Sequence, residues 1–327
     1  MRSSALASIA AAAAMAVASP ALMAQGTVNW PTRPVALVVP LVAGGITDRE
    51  MRPYLQKVQE STGQPFILDF KPGGNGTIGN LFVVKAKPDG YTFLISSSGM
   101  AVLPAFHPDL PYDTIKDFSP VSQISKRAMM LVVHSSVPVN TYQEYIAYAK
   151  ANPGKLNWGT SGRGGVTHLV GAWLHQLTNT EVTFVHYKGS APYVTDIVAG
   201  RLDVVPMSLG TGAPHFKSGR LKPLALMTTN RLSVLPNLMS IAEMGLPGYE
   251  YPNWLGMQAP AGTPAAIVNK ASAEMARAVK SPDLAADLEL NSITAIGSAP
   301  EEFRKVLIRE VAQWKKLVAD LKIESSE

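Results

Sequence analysis

Short apolar runs alternate along this chain with segments of helix length, and the joints between them are built from glycine, serine and threonine. "VALVVPL" (35–41) leads through two glycines to a helix predicted over 48–61, "FILDF" (66–70) follows, a glycine-rich turn opens a helix over 80–87, and "YTFLISS" (91–97) ends in serines. This βαβαβ order predicts an open, mostly parallel sheet. The theme returns in "MMLVVHS", a helix over 141–151, "LNWGTS", a helix over 167–178, "VTFVHY", a helix over 191–199 and "LDVVPMS". Two α/β units are expected. No Gly/Ser linker separates them, so "SPVSQISKRAMMLVV" reads as a strand passing from one unit to the other, with a second crossing near "GYEYPNWLGMQAP" (248–260). Helices over 265–280 and 300–321 then return to the first unit, and two crossings make a hinge beside a cleft.

The first joint sets the chemistry. A strand turning through Ala43-Gly44-Gly45 into a helix that opens near Thr47 presents backbone N–H groups with no helical partner, at the positive end of the helix dipole. Such a corner suits a small anion. Asp48, in the first turn, reads as a brace for its loop and not as a ligand contact. Four strand ends carry small, donor-rich turns of this kind: "AGGIT", "SSSG", "TSGRGGVT" and "YKGSA". In open α/β sheets the ligand crevice lies outside the carboxyl ends of the strands, so the four turns can converge. Around the third, Ser161 offers a hydroxyl, Thr167 lies near the helix cap and His168 in the first turn faces the presumed cleft. In the fourth, Lys188 is placed to attract an anion.

Composition narrows the partners. Over 327 residues, 46% apolar content with 16% charge supports real cores, and a net charge of +5 without a run of five Lys or Arg makes nucleic acid a poor partner. There is no cysteine, which removes disulfides, thiolate nucleophiles and Cys-ligated metals. The six histidines lack metal-binding spacing, and no cofactor is called for. Arg2, the alanine-rich stretch 5–18 and the small residues around Ala24 form the pattern of a secretory signal peptide over 1–24, so the mature protein is expected in the periplasm. Cleavage after Ala24 leaves 327 minus 24, or 303, residues. Beyond it the longest apolar stretch, "AMMLVV", is far too short to span a bilayer.

Two motifs invite enzymatic readings. In "GGNGTIG", Gly74, Gly76 and Gly79 match a dinucleotide fingerprint, but the acidic partner due about 20 residues on is replaced by Ser96-Ser97-Ser98, so a structural turn with close helix packing is the favoured reading. "GTSGRGG" approaches a nucleophile elbow at Ser161, but Arg163 stands where that motif needs glycine. A secreted hydrolase using Ser161 is kept as an alternative, as is a sensor subunit with the same fold.

Taken with their order, "WPTRPVALVVPLVAGGITD", "KPGGNGTIGNLFVVKAKPDGYTFLISSSG", "LPYDTIKDFSPVS", "NPGKLNWGTSGRGGVTHL", "VHYKGSAPYVTDIVAGRLDV" and "EMGLPGYEYPNWLGMQAPAGTP" cover nearly the whole mature chain. In these stretches it resembles the periplasmic solute-binding proteins of tripartite tricarboxylate transporters, also called the Bordetella uptake gene family. The resemblance implies a type II periplasmic binding protein fold: two doubly wound α/β lobes, joined by a two-crossing hinge, that close on a small carboxylate and deliver it to a membrane permease. Lobe 1 is then 25–125 plus 253–327 and lobe 2 is 126–252, in a monomer. Carried over, a carboxylate is held by Gly44, Gly45 and Thr47, by Ser97 and Ser98, and across the cleft by Ser161, Gly165, Thr167 and the turn Tyr187-Lys188-Gly189. Asp203 matches an acidic position near the cleft in relatives. Arg163 departs from the small polar residue common there, and its guanidinium is suited to a second, distal carboxylate. The expected ligand is a small organic carboxylate: a dicarboxylate if Arg163 takes that role, aliphatic or, with Phe106 and Trp254 as apolar walls, aromatic, and not necessarily one if Arg163 points to solvent.

Overall fold

Leu37 and Val39 point to one side of their strand and Val38 to the other, and all three are fully buried because the strand is interior to a sheet covered on both faces. The computed structural model describes residues 29–107 and 109–321. The signal peptide expected over 1–24 lies outside them. This strand, β1 (Val35–Val39), is followed by α1 (Ile46–Thr62), β2 (Phe66–Phe70), α2 (Thr77–Val84), β3 (Thr92–Ser97), α3 (Gly99–Phe106) and β4 (Phe118–Arg127). Ala128 alone separates β4 from β5 (Met129–His134). Then come α4 (Tyr142–Ala151), β6 (Asn157–Thr160), α5 (Val166–Thr178), β7 (Thr183–His186), α6 (Ser190–Val198), β8 (Val204–Ser208), α7 (Leu209–Lys217) and β9 (Leu221–Leu226). The chain returns as β10 (Trp254–Pro260), α8 (Ala265–Val279), α9 (Ala285–Leu290), β11 (Ile293–Ala295) and α10 (Pro300–Leu321).

The strands form a six-stranded sheet in the order β11-β4-β10-β3-β1-β2 and a five-stranded sheet in the order β7-β6-β8-β5-β9. This is the two-lobed α/β architecture of a type II binding protein. The sheets are mixed where mostly parallel ones were expected. β1 is parallel to β2 and β3, and β6 to β7 and β8, whereas β4, β5 and β10 run antiparallel to every neighbour. Those three strands carry the chain between sheets, and a strand arriving straight from the other sheet lacks the crossover helix that parallel pairing requires.

Two helices differ from expectation. α2 starts at Thr77, three residues early, because Gly76 at φ 96° turns the chain directly into it. α3 was not anticipated at all. Pro104 lies inside it, and Met100, Ala101, Val102, Leu103 and Phe106 are all buried, so it has no polar face to give a helical period. Among the described residues no helix is long and apolar enough to cross a membrane.

Helix α8 returns to the first sheet as expected and packs beside α1. α10 does more. Its buried residues Phe303, Leu307, Trp314 and Val318 lie on one face, and Phe303 covers Gly256 of β10, where a Cβ would come within 2.2 Å of the ring. Farther along, Trp314 meets Trp173 of α5 edge to face at 6.3 Å. The helix thus bridges both sheets, and the buried cluster it belongs to joins residues of α3, α5 and β10. Truncating a buried Phe or Trp of this kind costs about 3–5 kcal/mol.

Candidate ligand-binding cleft

Two corners, far apart in sequence, have the same backbone. In "AGGITD" (43–48) Gly44 has φ 74° and Gly45 caps α1 at φ −75°, ψ −174°. In "RGGVTH" (163–168) Gly164 has φ 72° and Gly165 caps α5 at φ −80°, ψ 169°. The positive φ is cheap only for glycine, so the Gly-Gly pair is what lets strand, turn and helix follow so closely. Each corner is also braced alike. Asp48 accepts the Gly44 amide through Oδ2 at 2.8 Å, and His168 accepts the Gly164 amide through Nδ1 at 3.2 Å. Lying at the carboxyl ends of β1 and β6, both are in the position that ligand sites take in such sheets.

The spare donors are the helix-start amides. Among the described residues, Gly45, Ile46 and Thr47 in the first corner, and Val166 and Thr167 in the second, donate their N–H to no protein atom. The Gly44 amide is consumed by Asp48, so the spare donors begin one residue later than the glycines suggest. Arg52 pairs with the other oxygen of Asp48 at 2.8 Å. The Gly44 amide, followed by Arg52, holds the Asp48 carboxyl below its usual range.

Thr47 and Thr167 are equivalent in place but not in use. Thr167 Oγ1 accepts the Ser161 amide at 2.8 Å and meets Ser161 Oγ at 2.9 Å, which closes the second corner upon itself. The Thr47 hydroxyl has no protein partner among the described residues. Ser161 therefore has threonine, and not an imidazole, on its hydroxyl. The Gly189 amide binds the Ser161 carbonyl at 3.0 Å and so draws the 187–189 turn alongside. Lys188 there is exposed and makes no ion pair among the described residues, while the Tyr187 hydroxyl donates to Asp196 at 2.6 Å and is turned along α6. Ser97 ends β3 and Ser98 is the N-cap residue of α3, with the Ser98 amide given to the Trp254 carbonyl at 3.3 Å.

Residues of the first sheet's segments touch the second corner. Phe106 lies directly under Gly164, where an added Cβ would sit 3.1 Å from ring carbons, and Asn75 Oδ1 would be 3.9 Å from a Cβ on Gly162. Within the "GGNGTIG" turn, Gly79 packs so tightly against Pro40 and the Lys71 carbonyl that a Cβ would meet them at 2.8 and 2.9 Å. Asn75, at φ 52°, is the residue of this turn that reaches toward the other lobe.

Arg163 takes the place of Ala43 in the second corner, is exposed, and forms no hydrogen bond or ion pair among the described residues. Its charge reaches two imidazoles: His168 and His186 stand edge to face with centroids 4.8 Å apart. Burial first, then His186 and Arg163, push His168 down to about 4, so it is neutral at pH 7 with its proton on Nε2. Burial and Arg163 likewise lower His186, whose Nδ1 meets Thr160 Oγ1 at 2.8 Å. His186 was missing from the expected set. It is the last residue of β7, and the rule that strand ends face the cleft would have found it.

Two expectations fail. Asp203 precedes β8 and binds the Asn157 amide at 2.8 Å and side chain at 3.0 Å, at the opening end of β6, whereas the corner lies at its closing end. It braces the far side of the sheet. Trp254 forms no wall of the cleft: it is 1% exposed, packed edge to face on Phe303 at 5.3 Å, with its indole N–H on Glu310. Phe106 does lie beside the cleft, but under the Gly164 backbone.

Known proteins match this arrangement. A protein of Pseudomonas sp. (strain P51), named for the tcbD-tcbE intergenic region, is 35% identical over 315 residues, covering 96% of this chain and 94% of that one. The structure of the periplasmic binding protein BugD superimposes with a TM-score of 0.81 at 28% identity, over 91% of this chain and 100% of the other. That of R. palustris Rpa4515 with adipate does so with a TM-score of 0.83 at 34% identity, over 90% and 99%. The model of the tripartite tricarboxylate transporter family receptor matches residues 51–323, and the chain belongs to that family.

Proposed function

We propose that the protein captures a small dicarboxylate in the periplasm by closing its two lobes, and hands it unchanged to the membrane permease of a tripartite tricarboxylate transporter. One observation carries this reading: two Gly-Gly-x-Thr corners of closely similar backbone shape, one per lobe, each with unspent helix-start amides. A carboxylate at such a helix start is favoured by the amides and the dipole together, without a salt bridge. The Thr47 hydroxyl, Ser97, Ser98 and the Lys188 turn complete the grip. Arg163, the exposed cation of the second corner, receives the second carboxylate, and the Rpa4515 structure is named with a dicarboxylate, adipate.

Closure is a population shift. Ligand touches both corners only when the lobes meet, so it stabilises that form by its differential affinity. The passages at Ala128 and before Trp254 act as the hinge. Thermal unfolding against a panel of mono- and dicarboxylates tests the function: a ligand at about 100 times its dissociation constant adds about 2.7 kcal/mol, and a panel that leaves the midpoint unmoved removes the reading.

A further inference from the structure

The two passages between the sheets wall a cavity of about 220 Å³. Arg127 and Ala128 line it from the first passage, Glu250 to Trp254 from the second, and Glu310 of α10 from the side. The passages are stitched together where the Arg127 amide binds the Asn253 carbonyl at 2.8 Å. Any rotation of one sheet against the other must work on this place, because the chain has no other route between them among the described residues.

Glu310 is 6% exposed, and its Oε2 accepts the Trp254 indole N–H at 2.8 Å. Trp254 is the first residue of β10, and its carbonyl in turn holds the Ser98 amide at 3.3 Å beside the cleft. A short line of contacts therefore runs from the carboxyl in the hinge cavity to Ser98 at the head of α3.

Resting on the closure reading above, we propose that Glu310 is a positioning residue for ligand capture: through the Trp254 indole it fixes the end of the second passage, holding a proton in the closed form and releasing it as the lobes part. On this proposal the form described here, in which Phe106 packs under the Gly164 backbone, is the closed one. In it the carboxyl faces the Trp254 N–H, Lys126 of β4 and Glu250 of the second passage, which pair with each other at 3.8 Å, and Arg309 of its own helix. Arg127 and Arg231 on the cavity wall are committed to Glu50 and Glu243, and Tyr251 is a neutral phenol. Burial outweighs these neighbours and pushes the carboxyl up to about 7. Parting the passages admits water to the cavity and relieves that penalty. Closure then takes up a proton, and by linkage affinity falls as pH rises.

Calorimetric titration with adipate from about pH 5.5 to 8.5 tests this in the intact protein, comparing wild type, Glu310→Gln and Trp254→Phe. Wild-type affinity is expected to fall as pH rises toward about 7, by at most tenfold per pH unit, the limit for one proton, and to level off above it. Glu310→Gln, which still accepts the indole N–H, retains the acid-side affinity throughout, and Trp254→Phe is weaker at every pH. His168 and His186 contribute equally in wild type and Glu310→Gln, so the difference between those two profiles isolates Glu310. Identical profiles overturn the proposal. Should adipate bind at no pH, the carboxylate reading fails by itself. The hinge is then judged by X-ray scattering of the unliganded protein: expansion on passing from about pH 6 to pH 8 in wild type but not in Glu310→Gln supports it, and equal radii overturn it.

Discussion

Asp48 and His168 hold equivalent posts in the two lobes, each in the first turn of a helix and each accepting the amide of the glycine four residues before it. One is a carboxylate held ionised by that amide, the other a buried neutral imidazole. Asp48→Ala removes the brace and leaves the Gly44 amide unpaired. We expect a loss of about 1 kcal/mol in unfolding free energy, as for other lost caps, and weaker carboxylate binding. Asp48→Asn, which keeps an acceptor, loses less of both.

The two threonines separate binding from folding. Thr47→Val removes a hydroxyl that bonds to no protein atom among the described residues, so carboxylate affinity falls about tenfold with the melting temperature unchanged, the loss of one hydrogen bond to a charged group. Thr167→Val strands the Ser161 amide and lowers the melting temperature as well. Calorimetry beside thermal unfolding reads both.

Arg163→Ala distinguishes the two ends of the ligand. The variant loses about tenfold or more in affinity for adipate, in line with a charge-assisted bond, and nothing for hexanoate. Equal losses for both acids remove Arg163 from the distal site.

Gly164→Ala tests the contact across the cleft. The methyl group meets Phe106 at 3.1 Å, and the φ of 72° strains any L-residue by about 1 kcal/mol. Affinity falls in consequence. Adding Phe106→Leu restores part of it by making room, while the backbone strain persists in the double variant.

Stability against pH has two opposed parts. His168 and His175, both pushed by burial to about 4 from 6.5, stay neutral in the fold but take up protons when unfolded. Their contribution is full above about 6.5 and falls as pH drops toward 4. Glu310, raised from 4.5 to about 7, acts in the opposite sense and loses stability as pH rises through that window. Glu310→Gln therefore steepens the rise of stability between 4.5 and 7, and His175→Gln flattens it, as denaturant titrations will show.

The strand-to-helix corners were legible because their chemistry is local: Gly44 and Gly45 announce a positive φ and a capped helix start. The kinship of "AGGITD" with "RGGVTH" was also on the page, and reading the two hexapeptides side by side gives Arg163 its place opposite Ala43. What sequence could not supply is long-range. That Asp203 serves the wrong end of β6, and that Trp254 turns inward, depends on pairings such as Trp158 with Val204 and Trp254 with Lys126. α3 was hidden for another reason, because a helix buried on every side has no period to read.

The twin corners carry a consequence for how such a molecule changes its diet. On the proposed reading main-chain amides do the holding and are indifferent to most substitutions, whereas positions 43 and 163 hang different side chains from the same frame. Substrate choice is thereby detached from the grip, and a lineage can acquire a new nutrient by exchanging one residue in one lobe while the clasp itself is inherited untouched.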